Sequence, residues 1–274
     1  MKIVVKIIKA IAIVALTIVI IGTAAIKILS STILDEAYVF RKLRAGNYYN
    51  SIYEELTKNF ENYIGPSGLE ESVLDNICTI EDIQNDTETI LGNIYEGTNK
   101  KVDTSAIKER LKNNITKSLN ETKEIVESQK NIDDFIEQIS TEYINTISHT
   151  DYEESINNAY QKAIKIIKYV KMALSAGVIA ILIMLVLLNI KTLNRALANL
   201  GIAFTSAGGF IFIGYYILNY KIKVDHLRVL NDSISRVLQD AAKDVFSQIN
   251  SIGLILIIIG LVLIILGNIL KKEK

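Results

Sequence analysis

Four long stretches of the chain carry no charged residue, and elsewhere apolar residues recur singly at three- and four-residue spacing. The uncharged stretches are Ala10–Ile26, Met172–Ile190, Ala196–Tyr220 and Val245–Leu270. Lys9 and Lys27 bracket the first, Lys171 and Lys191 the second, and Arg195 and Lys221 the third. A helix needs about 20 apolar residues to cross roughly 30 Å of hydrocarbon. It also satisfies its own backbone hydrogen bonds there. The flanking cations can snorkel to the headgroups. The pattern therefore predicts an all-α protein with four transmembrane helices.

The expected organisation is a signal-anchor span at 1–29, a helical domain at 30–170, spans at 171–191 and 196–220, a helical arm at 221–250 and a last span at 251–271. A short basic start before an apolar core also describes a signal peptide. Gly22-Thr23-Ala24-Ala25 is the candidate cleavage site. The length of the apolar stretch, and a helical pattern that runs on through Lys27 to Ile33 and Ala37, favour an uncleaved anchor.

Between the first two spans the apolar positions trace successive helices. Ile52, Leu56, Phe60 and Ile64 lie four apart, and Gly65-Pro66-Ser67-Gly68 reads as a turn. A short helix is expected over Leu69–Ile77. Thr79 and Asp82 have the spacing of a capping box with Asp in place of Glu. Ile83, Thr87, Ile90 and Ile94 then mark a helix that Gly97 can close. Asp103 or Thr104 can cap a helix carrying Ile107, Leu111, Ile115, Leu119 and Ile125. Asn131 can open one carrying Phe135, Ile136, Ile139, Tyr143 and Ile147. A bundle of about five helices follows. Its last helix, from Asp151, meets no breaker before Met172, so the domain and the second span share one helix.

In the arm, Leu227, Leu230, Ile234, Val237 and Leu238 form an apolar stripe. Packing on the helical domain is one expectation for this stripe. A face for a protein partner or a second copy is another, and a surface lying on lipid is a third. In the fourth span Gly253, Gly260 and Gly267 recur every seven residues, and the third span carries Gly201 and Gly208. Small residues let helix backbones approach closely. These five glycines are the expected helix-packing sites, between spans or between copies.

Charge divides the chain. Residues 30–160 hold 25 acidic and 12 basic side chains, whereas the remainder holds 18 basic and 5 acidic. The overall net charge of zero is a cancellation. A block this acidic argues against nucleic acid, which requires a positive surface. Basic residues near the spans divide between the two sides. The short segment Lys191–Leu200 and the tail Lys271–Lys274 fit the cytoplasm, and the first helix usually dominates orientation. Both termini are therefore expected in the cytoplasm of a multi-pass cell-membrane protein, with the acidic domain outside.

Catalytic and cofactor signatures are missing from the chain. It holds no GxGxxG, Walker, HExxH or GxSxG motif. One cysteine, Cys78, and two histidines, His149 and His226, offer no metal-ligand pattern. The expectation is a protein that is not an enzyme, with no cofactor, no metal and no identified small-molecule substrate. Tyr215, Tyr216, Tyr220, Asp225 and His226 are the polar groups that an enzymatic site would have to bring together. None of the spans holds an interior ionisable residue, which argues against an ion-coupled transporter.

The segment Gly65–Gly97, followed by Val102–Ile115, carries PSGL, T-x-E-D, IY-x-G and VD-x-S-x-I in order. It resembles a pattern in uncharacterised multi-pass membrane proteins of low-GC Gram-positive bacteria, over under a fifth of the chain. The resemblance implies no activity and no functional residue. The function expected is a non-enzymatic membrane protein presenting an envelope-facing interaction or sensing domain, with a homo-oligomer or protein partner. The alternative is an accessory subunit of a transport or export complex.

Overall fold

The computed structural model describes residues 2–122, 129–148, 153–190, 192–228 and 232–272. Among these residues the chain is all-α, with no strand. Its helices are α1 (Lys2–Ser30), α2 (Glu36–Ala45), α3 (Tyr48–Ser67), α4 (Ile80–Glu96), α5 (Ser105–Thr122), α6 (Gln129–Ser148), α7 (Glu153–Leu187), α8 (Leu193–Lys221) and α9 (Asp232–Lys272). Four of them, α1, α7, α8 and α9, are long and apolar enough to cross a membrane. The chain is a multi-pass membrane protein.

Two compact units emerge, Met1–Val39 with Ile164–Lys274, and Phe40–Ala163. In the first unit, α8 and α9 form a long antiparallel pair and α1 packs on α8. Ala12, Leu16 and Ile20 of α1 meet Leu185, Ala203 and Ala207 in a shared core. The outward faces stay apolar, as in Ile18, Ile183 and Ile258. At one end of these helices Lys9 Nζ donates to Asn189 Oδ1 at 2.6 Å. At the other, Ser31 Oγ donates to Gln248 Oε1 at 3.0 Å and Tyr38 OH donates to Asp244 Oδ2 at 3.1 Å.

The second unit buries one stripe from each helix. Ile52, Leu56 and Phe60 of α3 and Ile139 and Tyr143 of α6 are almost fully enclosed, with Ile83 of α4 and Leu111 of α5. Capping groups set the element ends. Thr79 and Asp82 form a reciprocal capping box at α4. Gly97 closes α4 at φ 70°, a left-handed conformation that costs glycine little. Buried Asn93 then holds the turn, donating to Lys100 O at 2.8 Å and accepting from Thr98 Oγ1 at 2.8 Å and Lys100 N at 3.0 Å.

Several boundaries differ from the sequence pattern. The helix of the first span stops at Ser30, where Thr32 turns its hydroxyl back on Ile28 O. Pro66 sits inside the last turn of α3, and the chain turns only at Gly68, with φ 71°. Over Leu69–Ile77 the only helical turn is a 3-10 turn at Glu71–Leu74. The arm between the third and fourth spans is not a separate hairpin. Most of it is the start of α9, one 41-residue helix that runs on into the last span. Ile125, His149 and Leu230 lie outside the described residues.

Candidate functional site

Seven residues make close to two helical turns, so a seven-residue repeat keeps one face. Helices α8 and α9 use that repeat from both sides. A methyl on Gly201 would meet Gly260 O at 2.6 Å, and one on Gly208 would meet Gly253 O at 2.6 Å. One on Gly267 would meet Asn194 O at 2.6 Å and Ala198 N at 3.0 Å. Backbone therefore lies on backbone along this seam.

The next step of the repeat brings Tyr215 against Phe246. Their ring centroids are 6.5 Å apart and their planes cross at 86°. Two rings cannot approach as closely as two glycines. A cleft of about 620 Å³ lies at this level, lined by Tyr215, Asn219, Ile222, Lys223, Val224, Asp225, His226, Lys243, Phe246, Ser247 and Asn250. The segment after α8 forms its rim. A 3-10 turn at Val224–His226 is tied to α9 by Gln239 Nε2, which donates to Leu227 O at 2.9 Å. Lys243 Nζ pairs with Asp225 Oδ1 at 2.8 Å. Asn250 Oδ1 is buried and has no hydrogen-bond partner among the described residues. The cleft thus offers an open amide acceptor, the Lys223 ammonium, the Lys243–Asp225 pair and an imidazole beside aromatic walls. The open acceptor suits a hydrogen-bond donor carried on an apolar body.

Of the polar residues considered for an enzymatic site, Tyr215, Asp225 and His226 line this cleft. Tyr216 and Tyr220 are exposed and stay outside it. Asp225 pairs with Lys243 and not with His226. Among the described residues, no group of three or more His, Cys, Asp or Glu side chains gathers to hold a metal.

Of the arm's apolar stripe, Leu227, Ile234 and Val237 are half-buried, and Leu238 is exposed. The step to Tyr215 and Phe246 was not recognised in the sequence. Its signal was there, since each residue continues the glycine spacing by seven positions. Asn250 carried no such signal, because an uncharged side chain beside a span looks like any other.

In the helical unit the motif elements act as structural caps. Asp82 accepts from Thr79 N at 2.9 Å and from Arg110 Nη1 at 2.5 Å. The Arg110 guanidinium, with Thr79, holds the Asp82 carboxyl below its usual range. Asp103 Oδ1 accepts from Ser105 N at 2.9 Å. Cys78 is buried, and that burial pushes its thiol up to about 12, which makes it a poor nucleophile. No family model matches the chain, and neither a curated protein nor a solved structure matches it.

Proposed function

We propose that the protein is a non-enzymatic membrane protein whose acidic helical unit faces outside the cytoplasm as an interaction or sensing module. The carrying observation is α7, one helix that supplies Gln161 to the helical unit and Leu185 to the apolar core. Gln161 Nε2 donates to Ile94 O at 2.8 Å, beside the Gly97 cap. A partner bound to the helical unit would act on the spans through α7, provided two span packings differ in affinity for that partner. The proposed placement puts both termini in the cytoplasm.

Sidedness is tested with thiol chemistry. Cys78→Ser removes the native thiol, and Lys101→Cys places a new one at an exposed loop position. A membrane-impermeant maleimide is then applied to intact cells. Labelling before lysis supports the reading, and labelling only after lysis overturns it.

A second reading, an accessory subunit of a transport or export complex, is favoured by exposed Leu238 beside half-buried Val237. Co-purification of a larger membrane partner, lost in Leu238→Asp, would support it. Recovery of the chain alone from mild detergent would count against it.

A further inference from the structure

A second cleft, of about 390 Å³, lies between α1 and α7, and its walls include Lys27, Lys171, Ser30, Ile26 and Leu174. Lys27 ends the uncharged run of α1 and Lys171 precedes that of α7, so both stand at one membrane boundary. The helices touch just below them, where a methyl on Gly22 would lie 3.2 Å from Leu174 Cδ1. Both lysines are exposed, and neither has a carboxylate partner among the described residues. Two ammonium groups beside a low-dielectric slab repel one another, and an anion between them removes that cost.

The remaining wall narrows the choice of anion. Thr23 Oγ1 and Ser175 Oγ donate to the carbonyls of Val19 and Lys171, both at 2.8 Å. The ammonium groups and Ser30 are left as donors. The apolar wall, Ile26 and Leu174, suits an acyl chain better than water. We infer that this cleft binds an anionic phospholipid, with its phosphate between Lys27 and Lys171 and an acyl chain along Leu174. Basic pockets between spans hold lipid headgroups by this chemistry.

The test uses the full-length protein in neutral detergent, with bound lipid counted by native mass spectrometry. It is titrated with phosphatidylglycerol and with phosphatidylcholine of the same chains. At roughly fivefold per lysine, phosphatidylglycerol should bind about 25-fold more tightly. Lys27→Gln with Lys171→Gln should abolish that preference, whereas Lys27→Arg with Lys171→Arg should keep it. Lys165→Gln with Lys168→Gln, exposed lysines on the same helix, should also keep it. If the double glutamine variant does not elute like the native protein, Lys171→Gln alone decides, with an expected loss of about fivefold. Equal binding of the two lipids overturns the inference. So does a preference that survives in the glutamine variant, or one that is lost with Lys165 and Lys168. Inorganic phosphate or glycerol 1-phosphate that displaces the lipid at equal concentration would identify a free phosphate as the ligand and overturn the lipid assignment.

Discussion

Gly201 and Gly260 stand backbone to backbone. A methyl on the first would lie 2.6 Å from Gly260 O, and one on the second 2.7 Å from Gly201 O. Even if the Ile264 and Thr205 side chains moved aside, backbone atoms that cannot give way would still block both methyls, so space here is set by two helix axes. Gly201→Ile or Gly208→Ile should force α8 from α9 at a cost of about 1–3 kcal/mol. Thermal unfolding in detergent reads this as a lower midpoint. Gly209→Ala, where an added methyl meets nothing within 4 Å, should not lower the midpoint, since a helix interior favours alanine over glycine. Equal midpoints for all three variants would disprove the seam.

Asn250 presents the opposite situation, a polar atom with space beside it. Its buried Oδ1 lacks a partner among the described residues. An unmet buried acceptor costs about 1–3 kcal/mol. Asn250→Leu should therefore raise the unfolding midpoint of the purified protein. A lower midpoint would mean that the amide is satisfied in solution, by a bound molecule or by water.

Two carboxylates one helical turn apart give opposite pH dependences. Arg110 holds Asp82 below its ordinary value. Its stabilisation is therefore complete above the unfolded value of 3.8 and is lost as pH falls through the lower folded value. Burial raises Asp86, although the hydrogen bond from Tyr143 OH at 2.6 Å works against that shift. Stability is therefore lost as pH rises from 3.8 through the higher folded value of Asp86. Asp82→Asn should lower resistance to proteolysis of the helical unit at pH 7. Asp86→Asn keeps an acceptor for Tyr143 and should raise it. Tyr143→Phe strands the Asp86 carboxylate and should cost about 1–3 kcal/mol. Matching pH profiles for the two asparagine variants would refute this assignment.

Helix α7 carries the proposed coupling. Ile139→Ala, at a fully buried position of α6, should cost about 2–5 kcal/mol. In the reconstituted protein it should also speed amide exchange in α7 beyond Lys171. Inserting Gly-Pro after Tyr169 breaks the helix and should abolish that transmitted effect. If exchange over 172–187 responds equally with and without the insertion, α7 does not transmit the change.

Sequence periodicity alone determined the four apolar helices, the all-α class, the capping box at Thr79 and the left-handed close at Gly97. Those features depend on neighbours within a few positions, and hydrocarbon admits few alternatives for an uncharged run. The buried stripes Ile52–Leu56–Phe60 and Ile107–Leu111–Ile115 were legible for the same reason. Tertiary structure decided which helices meet and where they part. The spacing of Gly253, Gly260 and Gly267 marked a face of α9 without naming its partner. Only the antiparallel register with α8 sets Gly201 and Gly208 against it and carries the seam on to Tyr215 and Phe246. Contacts such as Tyr38 with Asp244, or the meeting of Lys27 and Lys171 at one cleft, join residues far apart in the chain. Local pattern holds no record of such distances, because they arise when separate helices bury their faces against each other.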